Sequence, residues 1–231
     1  AAPLSALMLG ISSGFPYAMI GATLTTRLAQ DGIDKRSVTQ FSLAFLVYNL
    51  KFLWAWVVDG VRLPLLGRLG QRVSWMLFSG VLVIAAVCFL ASVNPREQLV
   101  LTAFAAIAVG CAGATFDIVI DAYRIELLKP EQLGVGSGMS QYGWRIGSAA
   151  AGTLALVIAS RHGWTLGYLV CAAFALPAML TALVMGEPPR HRVVAPARSM
   201  QERLAGVVEP LLEFFRRRGA WLILLFILIR S

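Results

Sequence analysis

Histidine, cysteine and charge are all scarce in this 231-residue chain, and each shortage removes a class of function. The two histidines, His162 and His191, stand in a short loop and a basic stretch. Neither has neighbours suited to metal binding or to a nucleophile–base pair. Cys88, Cys111 and Cys171 lie singly within apolar runs, with no metal-ligand spacing and no pairing pattern, and read as small packing residues. No metal, no cofactor and no enzymatic chemistry are expected. Charged residues make up 14% of the chain against 58% hydrophobic, and the mean hydropathy is +0.74, outside the soluble range. Acidic residues are the scarcer sign, 12 against 20 basic. In a soluble protein that excess points to nucleic acid; in one this apolar it is counted loop by loop, and no nucleic-acid partner is expected. The first apolar run also lacks the basic start and small-residue cleavage site of a secretory signal.

What is present is a series of long apolar segments. Six are long enough for a ~30 Å hydrocarbon core, which takes about 20 apolar residues each. They fall near 4–28, 38–58, 73–93, 98–124, 134–160 and 164–186. A seventh begins at Gly219 and stops at Ser231, too short to span, so the chain reads as cut there and at Ala1. Eleven basic residues fall on one side: Arg62, Arg68, Arg72, Lys129, Arg190, Arg192, Arg198, Arg203, Arg216, Arg217 and Arg218. Opposite stand four, Lys35, Arg36, Arg96 and Arg161, so the N-terminus and the stretch 187–218 are expected in the cytoplasm. Pro188, Pro189 and Pro196 open that stretch. Within it 199–218 predicts an amphipathic surface helix: Ser199 as N-cap with Glu202, an apolar stripe from Leu204 to Phe215, and Arg216 to Arg218 at its end.

Charge inside an apolar segment marks a functional site, because it survives there only by facing a cavity or a partner. Asp117, Asp121 and Arg124, spaced by four and three, share one helical face near the end of the run from Leu99 to Leu128. Asp121 is the stronger candidate proton site, with Asp117 the second. If the next turn centres near Glu131, Asp117 and Arg145 sit at similar depth on neighbouring helices, which predicts an Asp117–Arg145 pair. The same register sets Asp121 opposite Gln141 and Arg124 opposite Gly138. Arg145 and Arg124 are candidates for gripping an anionic group, with Gln141 and Tyr142 beside them; a structural clamp between the two helices is the alternative. Gly134, Gly136, Gly138, Gly143, Gly147 and Gly152 line the fifth segment and predict close helix packing.

In the first segment Ser12, Ser13, Gly14, Phe15, Pro16 and Tyr17 predict an interruption near mid-membrane, which makes Ser13 and Tyr17 candidates for the substrate path. Tyr48, Asn49 and Lys51 of the second segment are candidates for the same cavity. The loop that follows carries Asp59, Gly67, Arg68 and Arg72 and resembles, with an insertion of Leu63 to Leu66, the Asp-Arg-x-Gly-Arg-Arg signature between spans two and three of major facilitators. That resemblance implies a cytoplasmic gating loop.

Several strings are similar, in order along the chain, to the AmpG family of muropeptide permeases: Gly10 to Pro16, Leu50 to Asp59, Leu63 to Arg68, Asp117 to Arg124, Tyr142 to Gly147, and Glu187 to Pro189. The resemblance implies an all-α integral membrane protein, the six-helix N-terminal bundle of a major facilitator superfamily transporter. Such a bundle holds two inverted three-helix repeats, here with a cytoplasmic amphipathic helix appended. The implied organisation is a bundle over 1–186, a basic linker over 187–218, and the start of a seventh span over 219–231. The implied activity is proton-driven import, through a bacterial inner membrane, of N-acetylglucosaminyl-1,6-anhydro-N-acetylmuramyl peptides for cell-wall recycling, which feeds β-lactamase induction in some bacteria. The implied partners are that anionic glycopeptide, protons, the lipid bilayer and a C-terminal half. Phe116 departs from the family, which often has glutamine there. Other readings are transport of a different anionic metabolite such as acetyl-CoA, or a transport-dead half acting as a structural or regulatory partner.

Overall fold

The structure is a computed structural model that describes residues 2–34, 41, 43–61, 63, 69–189, 216, 219 and 221. Among these every regular element is a helix. Residues 1–191 form one compact unit. The expected amphipathic helix at 199–218 and the start of a seventh span lie almost wholly outside the described residues, as do Gly67 and Arg68.

The first segment is α1 (Ala2–Ala18), a π-helical turn (Met19–Thr23) and α2 (Leu24–Gln30). The second is α3 (Leu43–Asn49), a 3-10 turn (Leu50–Leu53) and α4 (Ala55–Gly60). Then come α5 (Gln71–Ser92), α6 (Leu99–Leu127) and α7 (Leu133–His162). The last is α8 (Trp164–Ala172), a 3-10 turn (Ala173–Ala175) and α9 (Leu176–Met185). Among the described residues four runs are long and apolar enough to cross a membrane: Pro3–Gln30, Gln71–Ser92, Leu99–Leu127 and Trp164–Met185. The other two expected spans fall short for different reasons. The second is broken into short helices at Leu50–Leu53. Helix α7 has 30 residues but gives much of its first half to glycine and polar side chains.

The interruption expected at Ser12–Tyr17 is displaced. Helix α1 runs straight through Pro16, and the non-helical residue is Gly21 (φ −87°, ψ −115°), inside the π turn. Proline removes one donor but keeps a helical φ, whereas glycine tolerates the ψ that a bend needs. The 3-10 turn in the sixth segment has a partner nearby: the Ala178 N–H, orphaned near the start of α9, donates to Ser12 Oγ at 2.9 Å.

Helix α1 occupies the centre, packed on α6, α7 and α9, while α5 packs on α6, α8 and α9, and α3 on α6. The α1–α7 contact is backbone against backbone. A Cβ at Gly10 would strike the Ser140 carbonyl, one at Gly14 that of Trp144, one at Gly143 that of Leu7, and one at Gly147 that of Ile11. Small residues permit this approach, and in lipid close packing replaces the apolar burial that drives helices together in water. The outer faces are apolar, with Val100, Phe104, Leu180 and Val184 exposed, as contact with acyl chains requires.

One buried charge had no signal in the sequence pattern. Arg27 of α2 is 5% exposed. It donates to the carbonyls of Leu90 (3.0 Å) and Val93 (2.6 Å) at the end of α5, with its guanidinium over the Tyr168 ring. A cation suits the negative end of a helix dipole, so Arg27 ties the first segment to the third without a carboxylate.

Candidate functional site

The three charges of α6 do share a face, and two of them meet a cation from the second segment. Helix α6 is rich in Ala, Leu and Val, and runs unbroken until Leu128 turns extended ahead of Pro130. A 3-10 turn at Pro130–Gln132 follows, centred on Glu131, the position assumed for the depth count. Asp117, 8% exposed, accepts hydrogen bonds from Ser13 on Oδ1 and from Lys51 on Oδ2. The Lys51 ammonium also lies 3.9 Å from Asp121 Oδ2. Arg124 holds the other side of Asp121, donating to Oδ1 at 3.0 Å, and donates to Ser137 Oγ of α7 at 2.9 Å. Ser13, Lys51, Asp117, Asp121, Arg124 and Ser137 thus form one connected polar chain, with two cations and two carboxylates balancing in charge.

The predicted Asp117–Arg145 pair does not form. Arg145 is exposed and makes no ion pair among the described residues; Lys51 takes its place. Counting residues from the turn fixes depth but not azimuth. The depth was sound, since Arg124 reaches Ser137, next to the Gly138 expected opposite it. The azimuth was set instead by the α1 seam, which turns Gly143 and Gly147 inward and leaves Gln141, Tyr142 and Arg145 on an exposed face. Asn49 is likewise exposed, while Tyr48 is buried.

Aromatic rings wall this cluster. Tyr17 stands edge-on to Phe45 (4.9 Å) and Tyr48 (5.9 Å), and 5.5 Å from the Trp144 ring. Trp54 Nε1 donates to Thr115 Oγ1 at 3.1 Å, fixing the second segment against α6 just beside Asp117. Pro16 and Tyr48 crowd Gly113, where a Cβ would strike the proline ring.

A second charged cluster forms where α4, α6 and α9 end and α5 begins. Arg72 donates to both oxygens of Glu126 from Nε (3.0 and 3.1 Å) and to Oε1 from a terminal nitrogen (2.6 Å). Its other terminal nitrogen reaches Asp59 Oδ1 at 2.7 Å. Glu187 accepts from the backbone N–H groups of Arg72 and Val73 at 2.9–3.0 Å, an anion placed on the N-terminus of α5. Gly70 (φ +99°) leaves the space that the Glu187 carboxylate fills. Tyr123 donates to the Gly186 carbonyl at 2.7 Å. Of the expected loop residues, Asp59 and Arg72 come together here. Glu126 and Glu187 were not marked as site residues; the available signal was an acid at the C-terminal end of each of two apolar runs.

The sequence model of the Major Facilitator Superfamily matches residues 5–230. The chain is 34% identical over 224 residues, 96% of its length, to the anhydromuropeptide permease of Escherichia coli (strain K12), covering 44% of that relative. It is 33% identical over 220 residues to the putative transporter AmpG 4 of Rickettsia felis, covering 94% of the chain and 53% of the relative. An uncharacterized protein of Haemophilus influenzae is 30% identical over 210 residues, 91% of the chain and 48% of that protein. The chain spans about half the length of these curated relatives.

Proposed function

Because this chain belongs to the Major Facilitator Superfamily, we propose that it supplies the first half of a proton-coupled importer of anhydromuropeptides. In this reading it lies in a bacterial inner membrane with its N-terminus and the 187–218 linker in the cytoplasm, and a second half completes the path. The substrate, N-acetylglucosaminyl-1,6-anhydro-N-acetylmuramyl peptide, crosses chemically unchanged, so no enzymatic step is assigned.

The observation that carries the proposal is Lys51, a lysine shared between two carboxylates within an apolar bundle. Its side chain is 34% exposed, which leaves it room to swing toward an anionic group of the substrate. Asp121, more exposed than Asp117 and held by Arg124 at 3.0 Å, is the group that takes the proton. Protonating it removes one claim on Lys51 and couples proton entry to anion binding. Tyr17, Tyr142, Gln141, Asn49 and Arg145, exposed on the first, second and fifth segments, line the path. The loop from Asp59 to Arg72, whose sequence carries Gly67 and Arg68, gates the cytoplasmic end.

Packing supports the inverted repeat. Exchanging the first three segments with the last three turns the α1–α7 contact into the α6–second-segment contact, and α5–α6 into α9–α1. The ties correspond as well. Arg27 of the first segment holds carbonyls at the end of the third, and Tyr123 of the fourth holds the Gly186 carbonyl at the end of the sixth. In an inverted pair the two ties fall at opposite membrane faces.

The test is uptake of labelled N-acetylglucosaminyl-anhydromuramic acid by cells that lack their own permease and express the protein carrying this chain, with and without a protonophore. The expected result is accumulation that the protonophore abolishes. A well-inserted protein that takes up no muropeptide directs the search to other anions such as acetyl-CoA.

A further inference from the structure

Tyr48 holds the unused donor of the intramembrane cluster. Its ring is packed between Tyr17 and Gly113, and the residue lies one helical turn before Lys51. Its hydroxyl is inaccessible and has no hydrogen-bond partner among the described residues, and its ring lies against Gly113, one helical turn before Asp117. A buried hydroxyl left unpaired destabilises a fold, and phenylalanine would fill the same space without that penalty.

Asp117 has both oxygens occupied in this arrangement, Oδ1 by Ser13 and Oδ2 by Lys51. Of the two partners Lys51 is the one free to leave: it is a flexible point charge, partly exposed, already shared with Asp121. Ser13 is buried on the central helix. The groups bonded to Asp117 are Ser13 from α1 and Lys51 from the second segment; the Tyr48 ring stands against Gly113, one turn before Asp117, and Asp121 lies one turn after it with Arg124 behind. Tyr48 brings the idle donor among them.

We propose that Tyr48 is a standby hydrogen-bond donor to Asp117, taking over Oδ2 when Lys51 turns to an anionic group of the transported molecule. The exchange keeps two donors on a buried carboxylate in both states, so releasing the lysine leaves no unsatisfied acceptor. Tyr48 acts through Asp117 and is a positioning residue. The identity of the anion rests on the transport reading above; the exchange itself rests on the geometry.

The experiment is thermal melting of the detergent-purified protein carrying this chain as wild type, Tyr48→Phe, Lys51→Met and the double variant, together with uptake kinetics. In the wild-type background Tyr48→Phe leaves Tm unchanged or raises it by up to about 3 °C. In the Lys51→Met background, where the hydroxyl has Oδ2 to itself, the same change lowers Tm by roughly 2–4 °C. Uptake by Tyr48→Phe shows a KM for the labelled disaccharide raised about five- to tenfold, the effect of losing one hydrogen bond. The same Tm shift in both backgrounds overturns the proposal. Should Lys51→Met fail to fold, KM decides, and an unchanged KM for Tyr48→Phe overturns it. A wild type that transports no muropeptide yet shows the reversal in sign removes the substrate reading and leaves the exchange standing.

Discussion

Helix α6 carries two carboxylates nine residues apart, Asp117 and Glu126, each bound by a cation from an earlier segment, and the two are held in different ways. Glu126 meets the planar fork of Arg72, whose three guanidinium nitrogens are all engaged, and the Arg72 side chain is only 10% exposed. Asp117 meets a lysine that is 34% exposed and divided between two acids. A fork saturated by two carboxylates is pre-organised and fixes three helix ends, whereas a point charge on a flexible stem can change partners. One helix thus presents a latch at its end and an exchangeable site within it.

The sharpest way to break this contrast is Arg72→Ala. It leaves the partly buried Glu126 without its partner, while the mostly exposed Asp59 stays solvated, and is expected to destabilise by about 3 kcal/mol, read as a Tm drop of roughly 6–12 °C in detergent. A drop under about 2 °C would mean the latch is idle. Arg72→Lys keeps the charge and removes the fork, for an expected loss of about 1–2 kcal/mol by the same assay. Glu187→Gln weakens the anionic cap on α5 and is expected to take away about 0.5–1 kcal/mol, measured by the shift of the melting midpoint. Lys51→Arg should leave stability within about 0.5 kcal/mol while lowering uptake at least about tenfold, because a fork would pin Asp117 and Asp121 together. Wild-type uptake by that variant would erase the distinction between the two sites.

How far the sequence reveals each site follows from the range of the interactions. Asp121 and Arg124 are three residues apart, so helical geometry alone joins them. Asp59 and Arg72 lie 13 residues apart, and it is the resemblance of their loop to the major facilitator signature that marks them. Ser13 and Asp117 are 104 residues apart, and Lys51 and Asp117 66 apart. Nothing in their local patterns says which cation Asp117 meets; the glycine seam between α1 and α7 turned Arg145 outward and left the place to Lys51. Arg27 escaped notice because its partners are backbone carbonyls, which no side-chain pattern records. Glu187, 115 residues from Arg72 and bound to its backbone, is hidden for the same reason. The bend falls at Gly21 rather than at Pro16, because glycine tolerates the ψ it needs and nothing in the local pattern picks one breaker over the other.

The central claim, that the Lys51 cluster couples proton and substrate, is tested most directly by Asp121→Asn in the protein carrying this chain. Uphill accumulation of labelled N-acetylglucosaminyl-anhydromuramic acid would be compared with its exchange across membranes preloaded with unlabelled substrate. The account predicts that accumulation is lost while exchange persists within about threefold of wild type, since a neutral residue 121 still leaves Lys51 to receive the anion. Asp121→Asn cells that still concentrate the substrate against its gradient would contradict it.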